Sequence, residues 1–260
     1  MMSQRIVKLP LFLFGSFVFG SVVGTVFHEL GHAISMWVTS GKVSRITINP
    51  FSWSYTYYGS SPKFPAFSTW SGVLLGSVLG LILLVIVTRK HTPYLFPFVL
   101  TGIMPILNGG GYYLVDILIG HTGDATSLVQ SGTPKYAVFG AAILWLILGL
   151  YLVIRFINLS GVRSEDVFIN RLVIFGFGIV PHFQLSAIYT MIYVPEDILQ
   201  EVATILLAVV LVVIVAFASS KMPQQQKAAL TVNIEWKHTA YALVLGFAAI
   251  VIPFLVFGNS

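Results

Sequence analysis

Residues 9–37 read LPLFLFGSFVFGSVVGTVFHELGHAISMW, an apolar run that holds His28-Glu29-Leu30-Gly31-His32 within it. A bilayer crossing needs about 20 apolar residues in a helix. The run is long enough to tilt across a membrane or project from it. It is too long for a removable signal peptide, and no small-residue cleavage site leads from it into a polar segment. A membrane helix therefore encloses three ionisable groups within five residues. Such groups are costly in a bilayer and mark functional positions there.

The rest of the chain agrees with a membrane setting. Hydrophobic residues make up 57% of the 260 positions and charged residues 9%, against about 25% charged in an ordinary soluble domain. This excludes a soluble enzyme, a disordered chain and a nucleic-acid binder, despite a net charge of +5. The absence of cysteine removes disulfides, thiolate metal sites and cysteine nucleophiles. Six further apolar stretches follow: 67–87, 93–107 with a continuation to 119, 136–157, 172–193, 198–218 and 239–257. The expected class is an all-α polytopic membrane protein with about seven transmembrane helices. Residues 1–135 form the core that carries the chemistry, and 136–260 add helices. The one sizeable hydrophilic linker is Ser219–Lys237.

One segment departs from helical patterning. Lys42–Tyr58, KVSRITINPFSWSYTYY, alternates and is rich in β-branched and aromatic residues, with Asn49-Pro50 as turn chemistry. It predicts a β-hairpin after the first helix; an irregular interfacial loop with an aromatic belt is the plainer alternative. With seven spans and a cytoplasmic N-terminus, ten lysines and arginines fall inside. Lys42, Arg45, Lys63 and Lys135 fall outside.

His28 and His32 are four residues apart, so they share a helix face and can ligate one ion. Glu29 is rotated away from that face and reaches a water on the ion rather than the ion itself. Two ligands and an adjacent general base are what metal-assisted hydrolysis needs. The bland reading is a buried polar cluster that packs helices. A catalytic zinc usually takes a third protein ligand, and Asp124, Asp116, His121 and Asn108 are the candidates. All lie in or just beyond the glycine-rich Asn108-Gly109-Gly110-Gly111 stretch, where triple glycine lets backbone open beside a cavity or serves close helix packing. His182, after Pro181, reads as a hydrogen-bonded interior histidine. His91 reads as a membrane-edge residue, and His238 starts the last helix.

These features resemble the site-2 protease class of intramembrane metalloproteases, and especially its small M50B-like branch. The resemblance rests on FHELGHAI at Phe27–Ile34, the Gly41-Lys42-Val43 lead into the alternating segment, and Ser71-Gly72-Val73-Leu74-Leu75-Gly76. It also rests on Asn108, Gly123-Asp124-Ala125-Thr126-Ser127-Leu128 and Gly132-Thr133-Pro134. It covers about residues 20–140. It implies a zinc held by His28, His32 and Asp124, with Asn108 beside the active site. Better-known members carry the aspartate eight residues after the asparagine, which here is Asp116, without the usual proline and following glycine. The resemblance also implies a multi-pass protein of a prokaryotic cell membrane and a site that opens to the cytoplasm, opposite to the charge count.

The expected function is an intramembrane zinc-dependent endopeptidase acting on a membrane-protein substrate, with Glu29 as general base on a zinc-bound water. A free edge of the hairpin would hold the unwound substrate by strand addition. Two rivals are a catalytically inactive adaptor, which loss of Glu29 would mark, and a metal or ion transporter. A transporter should spread polar positions over several helices, whereas helices four to seven read as nearly pure apolar.

Overall fold

The computed structural model describes residues 2–51, 54–87, 92–119, 123–156, 168–218 and 234–256. Seven helices are long and apolar enough to cross a membrane. They are α1 (Met2–Val38), α2 (Pro65–Val87), α3 (Phe96–Ile119), α5 (Lys135–Phe156), α6 (Phe168–Tyr193), α7 (Ile198–Ala218) and α8 (Trp236–Val256). A short helix, α4 (Asp124–Gln130), stands between α3 and α5. The expected spans are all present, and Pro93–Leu95 forms a 3₁₀ turn that leads into α3. Their outer faces carry Leu144, Ile147, Leu206 and Phe247, each more than half exposed. A water-facing surface rarely shows such a concentration of apolar side chains, but lipid solvates it.

The hairpin is also present. Strands β1 (Val43–Thr47) and β2 (Tyr55–Tyr58) pair antiparallel, with Ile46 opposite Thr56 and a register irregularity at Ser44. Asn49 Oδ1 accepts a hydrogen bond from the Phe51 amide at 2.9 Å, the side-chain turn that the Asn-Pro pair predicts.

Helix α1 lies at the centre and packs against α2, α3, α6 and α8. One core gathers Leu9, Phe12 and Leu13 of α1 with Val99 and Ile103 of α3, Phe175 of α6 and Val212 of α7. A second gathers Val73, Tyr113, Leu128 and Val138 and fixes α4 against α2, α3 and α5. The triple glycine does not open the backbone: α3 runs as one helix through it to Ile119. A methyl on Gly110 would strike the backbone amide of Leu146, and one on Gly109 would come 2.8 Å from Val73 Cγ1. These glycines admit close helix contacts, the alternative the sequence left open.

Seven crossings put the C-terminal end of α1, the hairpin, α4 and the α6–α7 junction on one face of the membrane.

Candidate metal centre

Helix α1 carries His28 and His32 one turn apart on the face toward α2 and α4. Asp124 opens α4 and brings its carboxylate to them. His28 Nε2 lies 2.9 Å from Asp124 Oδ2, His32 Nε2 lies 3.3 Å from the same oxygen, and the two Nε2 atoms are 3.1 Å apart. Among the described residues these are the three groups that could hold a metal ion together. The triangle fits such an ion: tetrahedral bonds of about 2.0–2.1 Å separate ligand atoms by roughly 3.3 Å.

Tautomers support the fit. His32 Nδ1 lies 2.8 Å from the Ser68 carbonyl of α2, which only accepts, so Nδ1 carries the proton and Nε2 presents a lone pair. The two Nε2 atoms and the Asp124 carboxylate converge on one point, an arrangement that can hold a cation. An ion held there requires Asp124 as the carboxylate and both imidazoles neutral.

Helix α2 approaches so closely because of glycine. A methyl on Gly72 would sit 2.6 Å from His32 Cε1 and 2.9 Å from His28 Cε1, and nearer still to His32 Nε2. The space that any side chain at 72 would need is taken by the two imidazoles.

Asp116, the rival ligand, has another role. It is fully buried. Its Oδ2 accepts from the Thr126 amide at 2.9 Å, and its Oδ1 accepts from Thr126 Oγ1 at 2.9 Å and from the Gly123 amide at 3.2 Å. The Asp124 amide donates to Tyr112 Oη at 3.0 Å. Asp116 and Tyr112 therefore clamp the start of α4 and hold Asp124 in place. His121, also a ligand candidate, lies outside the described residues, as does His91. Asp124→Asn is expected to lower metal affinity far more than Asp116→Asn, which should cost about 10–100-fold, the range for an outer-shell partner. Metal titration of both variants checks this. Metal lost with Asp116→Asn but kept with Asp124→Asn would reverse the assignment.

Glu29, also buried, lies within electrostatic reach of His28, His32 and Asp124. Thr56 of β2 donates to its Oε2 at 2.8 Å and lies 3.0 Å from its backbone oxygen. One carboxylate oxygen is thus held by the hairpin. Residue pattern alone does not mark this contact, because threonine in a strand is an ordinary β-former.

His28, Glu29, His32, Asp124, Thr56 and Asn108 line one cavity of about 480 Å³. Tyr55 and Tyr58 line it too; burial pushes both hydroxyls up to about 12, so both stay neutral donors. The cavity continues to α6 and α7, where His182, Ser186, Gln200 and Glu201 enter its wall. Two sequence expectations change here. Helices six and seven are not purely apolar toward the interior. His182 is buried, but its Nδ1 has no hydrogen-bond partner.

No curated protein and no solved structure matches the chain. Residues 16–109 match the family model described as Peptidase M50B-like. That segment, just over a third of the chain, contains the HExxH helix, the hairpin, α2 and Asn108, and it stops short of Asp116 and Asp124. Over that segment the chain is similar to the M50B-like peptidases.

Proposed function

We propose that the protein is an intramembrane zinc-dependent endopeptidase that hydrolyses a peptide bond of a membrane-protein substrate. The observation that carries this reading is the convergence of His28, His32 and Asp124 beside Glu29, in a cavity at the end of a membrane-spanning helix. Zinc bound by those three residues would supply a Lewis acid for the scissile carbonyl and lower the pKa of a water. Glu29 takes the proton of the attacking water and delivers it to the leaving amine nitrogen, so that one water becomes a new carboxylate and a new amine. Asn108 donates from its amide to the carbonyl oxygen as negative charge gathers there. Among the described residues the hairpin is a two-stranded sheet, and its edge would receive a substrate segment that has unwound from its helix.

The direct test is cleavage of a membrane-spanning reporter by the purified chain in liposomes. Cleavage should cease with a chelator and return with added zinc; cleavage indifferent to the chelator would overturn the metal-dependent reading.

Thr56 acts through Glu29. Its hydrogen bond holds Oε2 and leaves the other oxygen for the water. Thr56→Val is expected to lower kcat about ten- to a hundredfold, the equivalent of ~1.5–3 kcal/mol for a hydrogen bond to a charged group. KM and zinc content should stay constant, and Thr56→Ser should restore kcat. A change confined to KM would instead mean that Thr56 only shapes the hairpin.

A further inference from the structure

Tyrosine hydroxyls surround the metal centre, and the reaction as drawn so far uses none of them. Those of α3 are committed elsewhere. Tyr112 Oη accepts from the Asp124 amide at 3.0 Å, and Tyr113 Oη donates to the Thr69 carbonyl at 3.3 Å. The hairpin supplies the others, and alternation along β2 sorts them by face. Tyr55 and Tyr57 share one face: their ring centroids are 6.0 Å apart and both residues are exposed. Tyr57 lies against the Arg45 guanidinium, 4.8 Å from its ring centroid.

Thr56 and Tyr58 share the other face of a strand that packs on α1. Thr56 reaches Glu29 there. Tyr58 stands about 7 Å farther along, two residues at the strand rise. It is half-buried and lines the cavity together with Glu29, Asn108 and Asp124. Asp124 and Glu29 are the charged groups that act on its hydroxyl, so it lies within electrostatic reach of both the third ligand and the base. Among the described residues its Oη makes no hydrogen bond. An O–H donor thus faces the reaction space with its proton uncommitted.

The chemistry has a place for one more donor. When water adds to the scissile carbonyl, the π pair of the C=O bond moves onto oxygen, which then carries a full negative charge and three lone pairs. Asn108 supplies one donor from α3, on the same face as Tyr112 and one turn before it. Donors aimed at the position where charge develops are the most effective, and the hairpin approaches from a different element. A phenol, which ionises near pH 10 in water, is such a donor at neutral pH. We propose that Tyr58 Oη donates a hydrogen bond to the scissile carbonyl oxygen as it becomes an alkoxide, which makes Tyr58 a catalytic residue beside Glu29 and Asn108. This rests on the endopeptidase reading and adds a second oxyanion donor to it. The phenol keeps its proton throughout. The oxygen pair re-forms the C=O bond as the C–N bond breaks, and the leaving nitrogen takes the proton that Glu29 holds. One strand face then carries both the group that holds the base and the group that receives the charge.

The test uses the full zinc-loaded chain in liposomes and the spanning reporter. Tyr58→Phe removes only the hydroxyl. It should lower kcat about 10²-fold, the cost of one oxyanion donor, while KM, zinc content and thermal unfolding stay at wild-type values. A peptide phosphinate of the reporter sequence, whose anionic tetrahedral centre mimics the alkoxide, should lose affinity by the same factor. Wild-type kcat in Tyr58→Phe, or an unchanged phosphinate affinity, overturns the proposal and leaves the endopeptidase reading standing. A change confined to KM or to zinc content overturns it too, because Tyr58 then only shapes the hairpin. If the wild-type chain cleaves no reporter, the endopeptidase reading fails and the proposal falls with it. Should Tyr58→Phe not fold, a ring-fluorinated tyrosine at position 58 keeps the shape and the hydroxyl but is more acidic. Cleavage should then be lost as pH rises through the pKa of that phenol, where the wild-type chain stays active. A pH profile equal to that of the wild type overturns the proposal.

Discussion

Glu29→Gln should lower the rate of reporter cleavage by about 10²–10⁴-fold, the usual contribution of a positioned general base, while zinc content stays at the wild-type level. The swap keeps side-chain volume and leaves an amide oxygen to accept from Thr56, now 2.8 Å from Oε2. The helix, the hairpin contact and the three ligand groups should therefore persist. What disappears is the capacity to accept a proton from water. Activity and metal content must separate for the prediction to hold. If both fall together, Glu29 is structural or a ligand. If cleavage survives, another group is the base.

The second large effect falls on the imidazoles. His32→Ala, and separately His28→Ala, should lower zinc affinity by more than the roughly 100-fold upper limit seen when only an outer-shell partner is lost, and cleavage should fall with it. Among the described residues, three groups could hold the ion together, and the chain has no cysteine to substitute. His32 is the more deeply placed, at 6% side-chain exposure against 18% for His28, and its Nδ1 is anchored on Ser68. Its loss also leaves the Ser68 carbonyl without that partner, so His32→Ala should lower thermal stability more than His28→Ala. Isothermal titration with zinc and thermal unfolding of the two variants check both statements. Wild-type affinity in either variant would place the metal elsewhere.

Much of this arrangement is legible in the residues. Apolar length alone marks the seven spans, because a bilayer imposes one length on every crossing. The HExxH spacing puts two imidazoles on one helix face whatever surrounds them. The alternation of Val43–Thr47 and Tyr55–Tyr58 marks the hairpin for the same geometric reason. Asp124 against Asp116 was not decidable from spacing. Both are single carboxylates near the same glycines, and what separates them is that α3 continues through Asp116 while α4 begins at Asp124. The glycines misled because triple glycine serves an opened backbone and a close helix contact equally well; the choice lies with Val73 and Leu146, far away in sequence. The α6–α7 wall was hidden more thoroughly. Carboxylates such as Asp197 and Glu201 at a helix start look like ordinary N-terminal residues that favour the helix dipole. Only the packing of the α6–α7 junction against the hairpin turn turns them inward. Thr56, Tyr112 and Ser68 carry no chemistry of their own and gain a role only from the partners they touch.

The central claim is that water, with Glu29 as its base, opens a peptide bond inside a membrane-spanning segment. Mass spectrometry of the reporter fragments formed in ¹⁸O-labelled water tests it most directly. Zinc-loaded wild-type chain in liposomes should produce two fragments that meet within the spanning segment, with one ¹⁸O in the new C-terminal carboxylate, and Glu29→Gln should produce neither above background. An intact reporter with the zinc-loaded wild-type chain, or the same labelled fragments from Glu29→Gln, would contradict the account.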